Sequence, residues 1–233
     1  MASRAVLEKR SFYQRLEIAE GYEAQRFGGR TGRHILRREI DLALSLIPAG
    51  GRVADVGSGP GILAEALQRR GDRAVACDTS LEMLRIARQR SVRDTVQADA
   101  FALPLVDGAF DNASSIRLLF HFQDVVPLLT ELRRVVRPGG TLVCDTYTWS
   151  TRSLVPIGRQ RWGSKVATLS SRRFREQASE AGWRVREERR CFLVSPFVYR
   201  LLPIPIALTL ERLERRVPSR LLCRSFWRLE AQS

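Results

Sequence analysis

Three glycines alternate at the end of an apolar run in Val53-Ala-Asp-Val-Gly-Ser-Gly-Pro-Gly61, and that spacing suits the binding of a nucleoside. Gly57, Gly59 and Gly61 permit positive φ and let the backbone approach a ligand closely. A second reactive feature is Asp78, which lies about 20 residues beyond Gly57, where a carboxylate can accept both hydroxyls of a ribose. These groups need a strand that ends at the glycines and a helix that begins after them. Val53–Val56 reads as that strand and Ile62–Arg69 as the helix, while Arg73–Cys77 reads as a second strand that delivers Asp78. Strand, glycine turn and helix form the start of a Rossmann-like unit.

The dinucleotide fingerprint G-x-G-x-x-G would require glycine or alanine at position 62, which is Ile. From Asp55 the chain reads D-x-G-x-G-x-G, and here it resembles motif I of the class I S-adenosylmethionine-dependent methyltransferases. Further segments resemble that family in order: Thr79-Ser-Leu-Glu-Met-Leu-Arg-Ile-Ala87, Gln97-Ala-Asp-Ala-Phe101, Leu103-Pro-Leu-Val-Asp-Gly-Ala-Phe-Asp111 and Leu132-Arg-Arg-Val-Val-Arg-Pro-Gly-Gly-Thr-Leu-Val143. The resemblance implies S-adenosyl-L-methionine as cofactor, bound by Asp55, Gly57, Ser58, Gly59, Gly61, Asp78 and Thr79. It implies Met83 against the ribose or adenine, Asp99 on the adenine amino group, and Ala100 and Phe101 beside the ring. Core packing is the competing reading of Met83, and Ser80 reads as a helix N-cap. Tyr22-Glu-Ala-Gln-Arg-Phe27 is similar to a family segment that closes over the cofactor, which makes Tyr22 and Arg26 candidates for its carboxylate. A nicotinamide-binding domain, or one that keeps the cofactor without catalysis, is the alternative.

The implied fold is α/β and Rossmann-like. It has a seven-stranded, mostly parallel sheet with antiparallel strand seven, helices on both faces, and a helical insertion between strands six and seven. Strand six is expected over Arg184–Val194 and strand seven over Leu222–Leu229. One methyltransferase domain is expected over residues 1–233, with a helical cap at 1–45, a cofactor-binding core at 46–150 and an apolar and basic insertion at 195–218.

Composition agrees with one enzyme-sized domain. The chain has 233 residues, of which 44% are hydrophobic and 27% charged, enough to bury one core. No long apolar stretch follows the N-terminal charges, so the expectation is a cytoplasmic protein without signal peptide or anchor. Cys77, Cys144, Cys191 and Cys223 are scattered and form no C-x-x-C pair, so neither zinc nor a disulfide framework is expected. The net charge of +14 is almost wholly arginine, with lysine only at positions 9 and 165. Most arginines fall on helix faces that read as solvated surface.

The insertion, Ser195–Pro218, should border the active site, because a parallel strand six delivers it at the carboxyl edge of the sheet. Ile206, Leu210, Leu213 and Val217 share one face of its helix, with Arg212, Arg215 and Arg216 elsewhere. Such a helix suits an anionic membrane surface. Packing of that stripe on the domain is the other reading.

Methyl transfer needs an in-line nucleophile and exclusion of water, and a dedicated base is optional. Leu118-Leu-Phe-His121 resembles a family segment, and His121 is a candidate general base. A histidine that merely packs or caps a helix start is the alternative. Arg117 could bind an anionic substrate group or the cofactor carboxylate, or make an ordinary salt bridge. No (Asn/Asp)-Pro-Pro-aromatic motif follows strand four, which disfavours methylation of a base amino group. The expected acceptor is a small lipophilic or aromatic molecule, such as a quinone precursor or lipid, with Tyr147, Trp149 and Trp162 as candidate lining residues. RNA methylation by the basic surface and a non-catalytic cofactor-binding regulator are the alternatives, and no recognisable RNA-binding module supports the first. No metal is expected.

Overall fold

A computed structural model describes residues 16–150 and 166–232. Two helices come first, α1 (Leu16–Phe27) and α2 (Gly29–Leu46). The core then alternates β1 (Arg52–Val56), α3 (Ile62–Arg70), β2 (Arg73–Asp78), α4 (Leu81–Gln89), β3 (Asp94–Gln97) and β4 (Phe110–Ser115). It continues with α5 (Val126–Val135), β5 (Val136–Tyr147), α6 (Ser171–Glu180), β6 (Trp183–Cys191), α7 (Ile204–Glu214) and β7 (Arg224–Ala231). The seven strands form one sheet in the order β3-β2-β1-β4-β5-β7-β6. β7 pairs antiparallel with both β5 and β6, and the remaining strand pairs are parallel.

Alternation along the strands divides the core between the two faces, as a period of two requires. Ala54, Val56, Leu142, Cys144, Trp227 and Leu229 pack with Leu128, Leu132, Phe174 and Ala178 of α5 and α6. Val53, Ala74, Ala76, Val143 and Phe226 pack with Ile35, Ala43, Leu63, Leu67 and Leu84 of α2, α3 and α4. Buried indoles are anchored at their polar ends: Trp183 Nε1 donates to Leu129 O at 2.8 Å and Trp227 Nε1 to Thr146 Oγ1 at 2.8 Å. All four cysteines are buried and unpaired.

The strand ends differ from the sequence reading. β6 starts one residue earlier and stops at Cys191, and β7 begins at Arg224 rather than Leu222, because Cys191 pairs with Arg224 at that end of the ladder. The Pro-Gly-Gly segment lies within β5, where Val136 pairs with Phe110 and Thr141 with Asn112, so the register slips across it.

The insertion is helical, and of its apolar stripe Leu210 packs partly on the core while Ile206 and Leu213 do not. Ala207 and Glu214 are buried, whereas Ile206 is 48% and Leu213 41% exposed. Polar pairing with α2 sets this rotation. Arg38 Nη1 donates to Glu214 Oε1 at 3.2 Å, His34 Nε2 lies 2.8 Å from Glu211 Oε2, and Tyr199 Oη donates to Glu214 Oε1 at 2.5 Å. Thr31 Oγ1 donates to Leu202 O at 2.8 Å, completing the dock.

Gly61, at φ +73°, turns the chain into α3, and a Cβ there would lie 2.7 Å from the Ala87 Cβ and 3.1 Å from Val92 Cγ2. Gly61→Ala is therefore expected to destabilise the fold by about 2 kcal/mol or more, through left-handed strain and overlap with α4. A lowered urea midpoint at unchanged m-value would register it, and an unchanged midpoint would contradict the packing of α3 on α4.

Candidate active site

The loop after β1 is pinned to the end of β2 through backbone amides. Gly57 N and Ser58 N both donate to Cys77 O, at 2.8 and 3.0 Å, and Gly59 N donates to Asp78 Oδ2 at 2.8 Å. The other Asp78 oxygen accepts from Ser80 N at 2.8 Å. Asp78 ends β2 beside this loop, held by amides of two segments. Burial raises its pKa above the ordinary carboxylate value, opposed by hydrogen bonds from Ser80, Gly59 and Thr79. Ser80 caps α4 as expected, its Oγ accepting from Met83 N at 3.2 Å.

A cavity opens beside the loop. Gly57, Gly59, Asp78, Thr79, Met83, Asp99, Ala100, Phe101, Arg117, His121, Tyr22 and Arg26 all line it. Phe101 meets Phe122 edge-on with centroids 5.1 Å apart, and Phe101 N donates to Asp99 Oδ1 at 3.1 Å. Met83 is 1% exposed, packed in the core, and also lines the cavity. From α1, Arg26 stacks on Tyr22 at 4.8 Å. Glu23 pairs with Arg90 and fastens α1 to the end of α4.

Asp55, Ser58 and Gly61 are not part of the described cavity wall. Asp55 lies beneath the loop, where Ser114 Oγ donates to its Oδ1 at 2.8 Å and its Oδ2 has no partner. Burial pushes its pKa up to about 7, with nearby Asp78 adding to the rise. Val56, Ala98, Leu118 and Phe122 complete the wall. Phe122 drew no attention in the sequence because an aromatic after a histidine carries no signal by itself.

A second cavity adjoins the first, and Arg26, Arg117 and His121 line both. Phe27, Ile35, Phe120, Tyr147, Val166 and Phe197 give it an apolar body. Glu39, Arg224, Ser195 and Arg200 add polar groups. Arg117 has φ +69° and its amide donates to Asp145 Oδ1 at 2.5 Å. Its guanidinium pairs with Glu39 and stacks on Phe27 at 4.0 Å, so the salt-bridge reading of Arg117 holds at the cavity wall itself. Trp149 donates to Leu221 O at 3.2 Å and lies outside the described wall of either cavity. Trp162 lies outside the described residues. Among the described residues no cluster of His, Cys, Asp or Glu could hold a metal.

A glycine loop at the carboxyl edge of a parallel sheet, with an acidic residue at the tip of the next strand, defines a nucleoside-binding Rossmann-like domain. Residues 54–144 match the family model of a methyltransferase domain. This stretch, about two fifths of the chain, is what is similar to methyltransferase domains. It is 42% identical over 115 residues to a demethylmenaquinone methyltransferase of Thermus thermophilus, covering 46% of this chain and 51% of that one. It is 34% identical over 103 residues to a ubiquinone biosynthesis O-methyltransferase of Xanthomonas campestris, covering 42% and 43%. The chain thus spans about half the length of these curated relatives. Among solved structures, the [4+2]-cyclase SpnF superposes with a TM-score of 0.71 at 17% identity, covering 100% of this chain and 98% of that one.

The raised Asp55 carboxyl has a consequence for stability. The folded state retains a proton that the unfolded chain releases between the ordinary carboxylate pKa of 3.8 and about 7. The contribution of Asp55 is therefore fully present below about pH 4 and is lost as pH rises through about 7. Asp55→Asn should remove this part of the pH dependence. Urea midpoints of both proteins at about pH 5 and about pH 8 would measure it, and parallel shifts would rule out the assignment.

Proposed function

We propose that the protein is a methyltransferase that binds S-adenosylmethionine in the first cavity and a small lipophilic or aromatic acceptor, a quinone precursor or lipid, in the second. The observation that carries this reading is the shared wall of the two cavities, formed by Arg26, Arg117 and His121. The fold alone would not decide it, since a cyclase shares the architecture.

The residues present fit the cofactor. A Cβ at Gly59 would meet nothing within 4 Å, leaving the loop open on the cavity, while one at Gly57 would strike Leu118 at 2.9 Å. Asp78 accepts the ribose hydroxyls, Asp99 accepts the adenine amino group, and Ala100, Phe101 and Met83 border the nucleoside. Tyr22 and Arg26 cover the cofactor's amino-acid end. Gly57, Ser58, Gly61, Asp55 and Thr79 shape the loop and its support. When bound, the cofactor supplies an electrophilic methyl on a sulfonium. The chain's own contribution is orientation and exclusion of water, with His121 accepting the proton that the acceptor releases. Residues 1–233 act as one unit, with 1–45 as cap, 46–150 as cofactor core and 195–218 as a wall of the acceptor site.

A membrane surface is the proposed place where the acceptor is met. Leu201 is 66%, Ile206 48%, Leu213 41% and Leu221 50% exposed, and Arg212, Arg215, Arg216 and Arg220 are exposed around them. Exposed apolar side chains with exposed arginines among them in the same segment match an anionic bilayer. Among the described residues no helix is long and apolar enough to cross a membrane, so the attachment would be peripheral.

Calorimetric titration tests the cofactor assignment. The wild-type protein should bind S-adenosylmethionine and not NADH, and Asp78→Ala should weaken binding by about tenfold or more. Binding of NADH instead would overturn the reading. His121→Gln should lower kcat by roughly a hundredfold on an accepted substrate while leaving the cofactor Kd nearly unchanged. Flotation with phosphatidylglycerol vesicles, but not with phosphatidylcholine vesicles, should carry the protein upward, and the double change Ile206→Glu and Leu213→Glu should abolish this. Absence of flotation on either vesicle would remove the membrane from the proposal.

A further inference from the structure

Tyr147 ends β5 at the carboxyl edge of the sheet and lines the second cavity with 8% of its surface exposed. Its ring is fixed from two sides: Phe120 meets it edge-on with centroids 5.2 Å apart, and the Arg224 guanidinium lies 5.5 Å from its centroid. Its backbone oxygen accepts from Leu169 N at 2.8 Å. The hydroxyl makes no hydrogen bond to any described residue, yet it is not one of the unpartnered polar atoms sealed from solvent. A phenol this deeply buried whose hydroxyl still reaches open space reaches it through the cavity whose wall it forms.

The other polar side chains of the described wall are already engaged. Arg117 and Arg224 pair with Glu39, and Ser195 Oγ accepts from Phe197 N at 3.3 Å. Arg26, His121, Ser150 and Arg200 have partners of their own. Tyr147 differs in being rigidly placed and uncommitted. Burial raises its pKa above the ordinary phenol value, and the neighbouring Arg224 offsets this only in part, so at neutral pH the group is an uncharged O–H donor. Covering that donor with hydrocarbon would leave it unsatisfied, whereas the lone pair of a ligand oxygen would satisfy it.

We propose that Tyr147 is a specificity-determining residue of the second cavity, its Oη donating to a hydroxyl or carbonyl oxygen of the acceptor while Phe27, Phe120 and Phe197 enclose the apolar body. This rests on the methyltransferase reading above and narrows it to an oxygenated acceptor. Position decides which oxygen is held. Arg26, Arg117 and His121 border both cavities, whereas Tyr147 borders the second and not the first. The oxygen on Tyr147 is therefore separate from the atom that meets the methyl group beside the shared wall. The acceptor carries it in addition to the atom that is methylated.

The test is calorimetric titration of the full-length protein and of Tyr147→Phe, each saturated with S-adenosylhomocysteine. The probes are 2-naphthol against 2-methylnaphthalene and 2-acetylnaphthalene against 2-isopropenylnaphthalene, pairs that differ by one oxygen at nearly constant shape. For at least one pair, Tyr147→Phe should weaken the oxygenated member by about fivefold or more and leave its hydrocarbon partner bound as tightly or more tightly. The pair that responds separates hydroxyl from carbonyl. The urea midpoint of Tyr147→Phe should equal or exceed that of the wild type, because no hydrogen bond within the protein is lost. A lowered midpoint would mark the hydroxyl as serving the fold and overturn the proposal. Equal changes within both pairs, unchanged affinity for both oxygenated probes, or no binding of any probe to the wild type would overturn it too. S-adenosylhomocysteine is also titrated alone: its binding without the oxygen response leaves the methyltransferase reading standing, and its failure to bind removes both.

Discussion

A buried box of four charges holds together the parts of this molecule that are far apart in sequence. Glu39 on α2, Asp145 on β5, Arg117 after β4 and Arg224 on β7 meet at the carboxyl edge of the sheet. Glu39 and Arg224 are each 1% exposed. Such a cluster is weak evidence for stability, because desolvating four ions offsets most of their attraction. Its effect is on position. Removing any one member leaves another charge buried without compensation, so α2 cannot slide over the sheet edge without a large penalty. The second cavity exists because that helix is held there.

The cofactor side is organised by a different physics. Its contacts are made by backbone amides and by one carboxylate that those amides orient. Gly57, Ser58 and Gly59 face the end of β2, and Asp78 is fixed from two directions before any ligand arrives. Preorganisation of this kind costs nothing at the moment of binding. The price is electrostatic: burial disfavours the ionised forms of Asp55 and Asp78, and Asp78 adds to the rise at Asp55. A cationic ligand would relieve part of that penalty.

This contrast explains what could be read from the sequence. The glycine loop, Asp78, Ser80, Asp99 and Phe101 were legible because each acts within a segment of a few residues at a fixed distance from a strand end. The mostly parallel sheet with its antiparallel seventh strand was expected from the family resemblance that those segments carry. Glu39 and Arg224 were not legible. They lie far apart in the chain, and an arginine among alternating strand residues looks like any solvated one. The insertion helix left two readings open for a related reason. Its apolar stripe could face a membrane or the domain, and with Glu211 and Glu214 paired to His34, Arg38 and Tyr199, Ile206 and Leu213 point outward. Hydrophobic periodicity reports which face could be buried, and specific polar partners on α2 decided which one was.

The division of labour between the two cavities bears on how one architecture serves different reactions. The first cavity is built from residues 56 to 122 together with α1, nearly all inside the stretch that matches the family. The second draws on α2, the end of β5, the segment after β6 and the start of β7, most of it outside that stretch. Among the described residues, Arg26, Arg117 and His121 belong to both walls. A change in the outer segments can therefore alter the second cavity without disturbing the glycine loop beside the first. Reaction type then depends on what the second cavity presents to the first, and here that cavity presents an aromatic body, a histidine and a buried guanidinium. The sheet supplies the common edge, and the four-charge box fixes the distance between the two halves.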